Sequence, residues 1–330
     1  MLLGEQKQPG LFSPLWIPGV FFAALLLGGS WTAAQSPSLN DPQGRGFITQ
    51  SWEDDFEKPY LDKSRWTIED WRSPAWQFPA PGYLPSSHLG VYEEQQVRLV
   101  PGAGRQYLRL ALTQEKGPVD ENPDGVISRG ALVYSKEKFG YGTYEWRMRM
   151  SSSGKDPEDP LAGAAVSGSV SAGFIYVNNS ETEIDVEFAG HTVDTPFPEL
   201  VYATSWNNQT PASGPTGLDM TFAVLPVPGL YTTFHTYAFE WKPDSVTFSI
   251  DGVAQIVHRS NIPSAPAHFM INHWGADRPD GFGGKASIGV ARYLFVDWVR
   301  FTPLRGERPS RLPGGLAKNS ATDRLRTRIR

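Results

Sequence analysis

The chain has 330 residues, of which 20% are charged and 12% aromatic, with 33 Gly and 28 Pro; charge below the roughly 25% usual for soluble chains, rich turn chemistry and ample apolar surface exclude a coiled coil, a helical bundle and global disorder. The absence of Cys removes disulfide scaffolds, thiol nucleophiles and Cys-ligated zinc. The formal charge of −5 conceals a basic tail, residues 305–330 with eight Lys/Arg against two Asp/Glu, and the acidic remainder argues against nucleic acid as a partner.

Residues 1–34 read as a targeting segment: a short polar start with Lys7, an apolar stretch Leu15–Leu27, then Thr32-Ala33-Ala34. Two readings stay open, a secretory signal cleaved after Ala34 or an uncleaved membrane anchor, because residues 15–34 approach the ~20 that a span needs. Either way the protein is expected outside the cytoplasm, extracellular, periplasmic or at the cell surface. Residues 35–46 form a linker, and 47–304 show period-2 alternation with turn punctuation. Trp71–Ser87, with four Pro and Trp71, Trp76, Phe78 and Tyr83, is expected to be a long irregular loop.

Tyr141–Met150 puts Thr143, Glu145, Arg147 and Arg149 on one strand face, with Tyr144, Trp146, Met148 and Met150 on the other. Lys242-Pro243-Asp244-Ser245 is a turn, and Val246–Ile250, Asp251-Gly252 and Val253–His258 make a hairpin. His235, Tyr237, Phe239 and Trp241 read as packing. Many short strands with intervening loops predict an all-β sandwich. The tail 305–330 is expected to be a solvated, disordered extension.

The chemistry concentrates in Glu181–Phe188. In a strand, Glu181, Glu183, Asp185 and Glu187 share one face while Thr182, Ile184, Val186 and Phe188 line the other. Neighbouring carboxylates repel, so at least one must hold its proton more tightly than usual. One ionised and one protonated carboxyl are what cleavage of a glycosidic bond requires, and roughly 5–5.5 Å between them gives retention of configuration. Since i and i+4 lie about 13 Å apart along a strand, Glu183 and Glu187 must lean together on a curved sheet. A solvated strand face or a calcium-loading patch is the competing reading of the acids alone.

Glu183-Ile-Asp-Val-Glu-Phe188 resembles the Glu-x-Asp-x-Glu signature of glycoside hydrolase family 16, the jelly-roll β-glucanases that include lichenases, laminarinases and xyloglucan transglycosylases. Phe139–Arg147, Phe234–Trp241, Met270–Trp274 and Val296–Arg300 resemble further strands of that family, in order. The resemblance covers about 47–303. It implies a concanavalin A-like β-jelly-roll of two curved antiparallel sheets with a concave substrate cleft, taken to be a monomer.

It also implies roles: Glu183 as nucleophile, Glu187 as general acid and base, and Asp185 tuning the nucleophile, with no cofactor required. Glu145, Arg147, Trp206, Asn272 and Trp274 would contact the sugar chain, and a structural calcium would sit near Asp297. The partner would be a β-linked polysaccharide. A single residue between Asp185 and Glu187 means no strand bulge, which places the chain nearer the lichenase and transglycosylase branches than the laminarinases and agarases. The same residues would serve a hydrolase of β-1,3 and/or β-1,4 bonds or a transglycosylase; a non-catalytic carbohydrate-binding module would not need both glutamates.

Overall fold

The computed structural model describes residues 48–75, 87–159, 163–191, 199–213, 215–279 and 281–304. The leader, the linker, the basic tail and Trp76, Phe78 and Tyr83 of the Pro-rich stretch lie outside the described residues. Sixteen strands carry the fold. In chain order they are β1 (Trp52–Asp54), β2 (Trp66–Ile68), β3 (His88–Tyr92), β4 (Val97–Gly102), β5 (Arg105–Val119), β6 (Asn122–Phe139), β7 (Gly142–Ser152) and β8 (Ser169–Val177). There follow β9 (Thr182–Ala189), β10 (Leu200–Trp206), β11 (Met220–Pro226), β12 (His235–Lys242), β13 (Ser245–Ile250), β14 (Val253–His258), β15 (Ala267–Gly275) and β16 (Arg292–Pro303).

They form two curved layers, as the alternation predicts. The first runs β11-β10-β9-β8-β15-β6 and the second β5-β16-β7-β12-β13-β14, with every neighbouring pair antiparallel. The long strands β5 and β6 pass from one layer to the other and pair through Thr113–Val119 and Asn122–Arg129. At Asp251-Gly252 both residues have positive φ, 50° and 78°, the geometry of the expected two-residue hairpin between β13 and β14.

The apolar faces of the two layers meet in one core. Ile175, Ile184, Val186, Phe188, Phe269 and Ile271 come from the first layer, and Tyr144, Trp146, Met148, Tyr237, Phe239 and Trp241 from the second, all buried. Trp146 and Phe269 pack across the interface with ring centroids 4.4 Å apart. Gly173 faces the same contact, where a Cβ would come within 2.8 Å of Trp146 and Met148. Burial of this face fixes the register of β9, since a one-residue slip would carry its three acids inward.

Candidate active site

Strand β9 pairs without a break with β8 and β10, so the expected absence of a bulge between Asp185 and Glu187 is what the structure contains. With Thr182, Ile184, Val186 and Phe188 buried in the core, pleating directs Glu183, Asp185 and Glu187 to the outer, concave face of the first layer. Cross-strand register arranges that face in rows. One row is Trp206, Glu183, Tyr176 and His268; the next is Thr204, Asp185, Phe174 and Met270; the third is Tyr202, Glu187, Ala172 and Asn272. Trp274 sits one step further along β15, beside Val170.

Flanking residues wall this face. Tyr92 of β3 packs with Leu132, Tyr134, Phe174 and Met270, and the Asn272 amide donates to the Tyr92 hydroxyl. Tyr134 donates to Glu69, whose carboxylate is buried beside Tyr92. At the other flank Phe282 stands edge-on to Tyr202, centroids 5.1 Å apart, and packs on Trp274. Asn272 keeps a buried Oδ1 without a hydrogen bond among the described residues.

The three acids interact strongly. Asp185 is buried, while Glu183 and Glu187 keep part of their surface open to the cleft. Burial pushes Glu183 up to about 7, against hydrogen bonds from Ser180 and Asp185 that favour its anion. Glu187 is pushed up to about 8, first by burial and then by the charge of Glu183. Asp185 is held well above the carboxylate range by burial and by both glutamates, against the Trp206 indole, which hydrogen-bonds it. Among the described residues, none of the three acids forms an ion pair with Lys or Arg. Three adjoining carboxyls cannot all ionise, and they titrate as one unit. Among the described residues two donors, from Ser180 and Asp185, face Glu183 and favour its anion, while none faces Glu187, whose protonated form is favoured by burial and by its neighbour's charge.

Two of the expected sugar contacts need correction. Glu145 and Arg147 lie on β7, in the second layer, and because Tyr144, Trp146 and Met148 point into the core both residues face the opposite, convex surface. Arg147 there ion-pairs with Asp297 and lies over Phe234, and Glu145 stands opposite Arg300 on β16. The calcium expected near Asp297 does not fit either. Its carboxylate, 1% exposed, is taken by two guanidinium groups, from Arg147 and from Arg105 at 2.8 Å. Among the described residues no cluster of three His, Asp or Glu is placed to hold a metal. Cations already occupy the position a divalent ion would need.

The other expected residues share the concave face: Trp206 beside Glu183 as a hydrogen-bond partner of Asp185, and Asn272 and Trp274 on β15. His273 is buried, bonded to Ser151 and the Leu110 carbonyl. Glu181 accepts from Asn178 at 2.8 Å, at the rim. Sequence reasoning missed Glu69, Tyr92, Tyr176 and Tyr202, which reach the site only through tertiary placement. It also missed Ser180, three residues before Glu183, whose hydroxyl donates to that carboxylate.

Comparison with known proteins agrees with this geometry. The family described as glycosyl hydrolases family 16 matches residues 90–292. A β-glucanase of Paenibacillus polymyxa is 30% identical over 172 residues, 51% of this chain and 62% of that protein, so the chain spans less than two thirds of this curated relative. The structure of the Bacillus licheniformis β-glucanase superposes with a TM-score of 0.56 at 21% identity, covering 77% of this chain and 99% of that one. LamA from Z. galactanivorans, in complex with laminaritriose and laminaritetraose, gives 0.55 at 17% identity, covering 78% and 99%. On the family match, which takes in the acidic strand and both layers, the chain belongs to glycosyl hydrolases family 16.

Proposed function

We propose that the protein is a retaining endo-β-glucanase that hydrolyses β-1,3 and/or β-1,4 linkages. The observation that carries this reading is the unequal environment of two glutamates on one face: Glu183 with two donors on its carboxylate, Glu187 with none and held protonated by burial and its neighbour's charge. That is the division of labour the reaction needs.

In the first step a Glu183 oxygen bonds the anomeric carbon as the glycosidic C–O bond breaks, and Glu187 gives its proton to the departing sugar oxygen. In the second, Glu187, now ionised, takes a proton from water, whose oxygen attacks the anomeric carbon and releases Glu183 as carboxylate. Two inversions retain configuration. Asp185 and Trp206 hold the nucleophile's side of the site. Trp274, Tyr202 and Phe282 supply apolar surface for sugar faces, with Asn272 in the row of Glu187. The β-glucanase relatives and the oligosaccharide-bound neighbour support a β-glucan as substrate. The leader-like composition of residues 1–34 supports action outside the cytoplasm.

The test is reducing-sugar release on a panel of glucans, galactan and xyloglucan, with mass analysis of products. Glu183→Gln should lose turnover by about 10⁴-fold or more and still bind the polysaccharide; undiminished release would sink the assignment. Longer products in the presence of excess acceptor oligosaccharide would favour a transglycosylase, in which a sugar hydroxyl replaces water.

A further inference from the structure

The turn joining β8 to β9 carries three consecutive non-glycine residues in the left-handed region, Asn178 (φ 47°), Asn179 (49°) and Ser180 (63°). Asn tolerates this conformation and Ser does so seldom; such a run persists only where the surroundings over-determine it. Here they do. Asn208, buried in the connection after β10, donates its side-chain amide to the Asn179 carbonyl at 2.8 Å and its backbone N–H to the Ser180 carbonyl at 2.9 Å. Its own Oδ1 accepts from the Thr210 N–H at 2.8 Å. The Asn179 side chain donates to the Pro211 carbonyl at 2.8 Å. From below, the Tyr176 hydroxyl accepts the backbone N–H groups of Asn179 and Ser180.

This clamp has one outward product. The Ser180 side chain, 6% exposed, is aimed along β9 and donates to the Glu183 carboxylate. We propose that Ser180, locked by Asn208, is a positioning residue for the nucleophile: its hydroxyl fixes the orientation of the Glu183 carboxylate and stabilises its negative charge for attack on the anomeric carbon. The inference rests on Glu183 being the nucleophile. It adds a device outside the acidic signature, drawn from two loops that meet at the sheet edge.

The groups facing Glu183 make the role specific. Asp185 and Glu187 share its strand, with Glu181 at the rim; Tyr176 faces it from β8 and Trp206 from β10; His268 lies beyond Tyr176 in the same row. No ion pair with a cation neutralises it among the described residues, so hydroxyl and acid donors are what hold the anion. A hydrogen bond to a charged group is strong enough to matter here.

The experiment uses the full chain with Ser180→Gly and Ser180→Ala. Glycine adopts φ near 63° without strain, so Ser180→Gly keeps the turn and removes the hydroxyl alone. Expected for Ser180→Gly are an unchanged or raised Tm, a KM within about twofold, and kcat/KM on the best glucan at pH 6 lower by roughly tenfold or more. The acid limb of its pH profile moves up by about one unit. Asn208→Ala should move the same limb in the same direction with Ser180 still present. An acid limb and rate equal to wild type in Ser180→Gly would overturn the proposal, and so would a loss equal at every pH that tracks a fall in Tm. If wild type cleaves and Glu183→Gln does not, such a result sinks the role of Ser180 only; a wild type inert on every glycan would remove the nucleophile reading and this inference with it.

Discussion

The two outer surfaces of the sandwich handle buried acids in opposite ways. On the convex surface Asp297 is bracketed by Arg105 and Arg147, with Glu57 3.8 Å from Arg105; every charge has a counter-charge, and the cluster ties β5, β7 and β16 together. On the concave surface Glu183, Asp185 and Glu187 crowd one another with no cation paired to them among the described residues, their protons retained far above the usual carboxylate range. A fold that sought only stability would treat both sets alike. The concave set stores an unfavourable arrangement whose proton affinities suit acid and base work near neutral pH, and such arrangements are concentrated at functional sites.

The largest expected effect follows from disturbing the concave set. Glu187→Gln should lower turnover of glucan by roughly 10²–10⁴-fold, yet spare the first step with an activated aryl glycoside whose leaving group needs no proton. On the proposed mechanism, wild-type activity requires Glu183 ionised and Glu187 protonated. The rate should therefore rise toward pH 7 as Glu183 ionises and fall above about pH 8 as Glu187 does. Both groups have folded values above their unfolded ones, so the native state binds more protons and stability declines as pH rises from about 4.5 to 8. Glu187→Gln should remove part of that decline, raising stability at pH 8 by about 1–2 kcal/mol. Equal Tm for the two proteins at pH 8 would show that the cluster is not under this strain.

The contrast also explains what could be read before any coordinates. Alternation in Glu183–Phe188 was sufficient to place three acids on one face because Ile184, Val186 and Phe188 had to be buried. The same logic correctly put Glu145 and Arg147 together, away from Trp146, but alternation says only which residues share a face, not which layer the strand joins. Register with β12 and β16 puts β7 in the second layer, and the pair faces away from the cleft. Tyr92, Glu69 and Tyr202 were invisible for a related reason: each enters the site across strands distant in sequence. Ser180 left a signal in the preceding pair Asn178-Asn179, a residue type that tolerates positive φ and marks turns, but its aim at Glu183 depends on Asn208, 28 positions away.

An intermediate effect is expected on the convex side. Asp297→Ala leaves Arg105 and Arg147 facing each other with no anion between them. Removing one partner of a buried pair can cost 3–5 kcal/mol, but both guanidiniums are more than a third exposed, and water softens the loss to about 1–2 kcal/mol. Denaturant unfolding should show this shift with kcat/KM per folded molecule unchanged, since the residue lies on the face opposite the cleft. A large fall in specific activity at full folding would mean that the two surfaces are coupled through the core.

The smallest expected effect is no shift, and it discriminates between two ways of building the convex cluster. A carboxylate that held calcium would stabilise the native state by mass action, so that stripping the ion would lower Tm and adding it would raise Tm. Arg105 and Arg147 bring their positive charge covalently, on strands already in place, and a divalent ion approaching Asp297 would have to displace two guanidiniums. Tm measured with excess chelator and with added calcium should therefore agree within error, both for wild type and for Asp297→Ala. A chelator-dependent fall in wild type that vanishes in Asp297→Ala would show that an ion, not the arginines, neutralises this acid, and would make the two faces differ in the source of their counter-charge rather than in its presence.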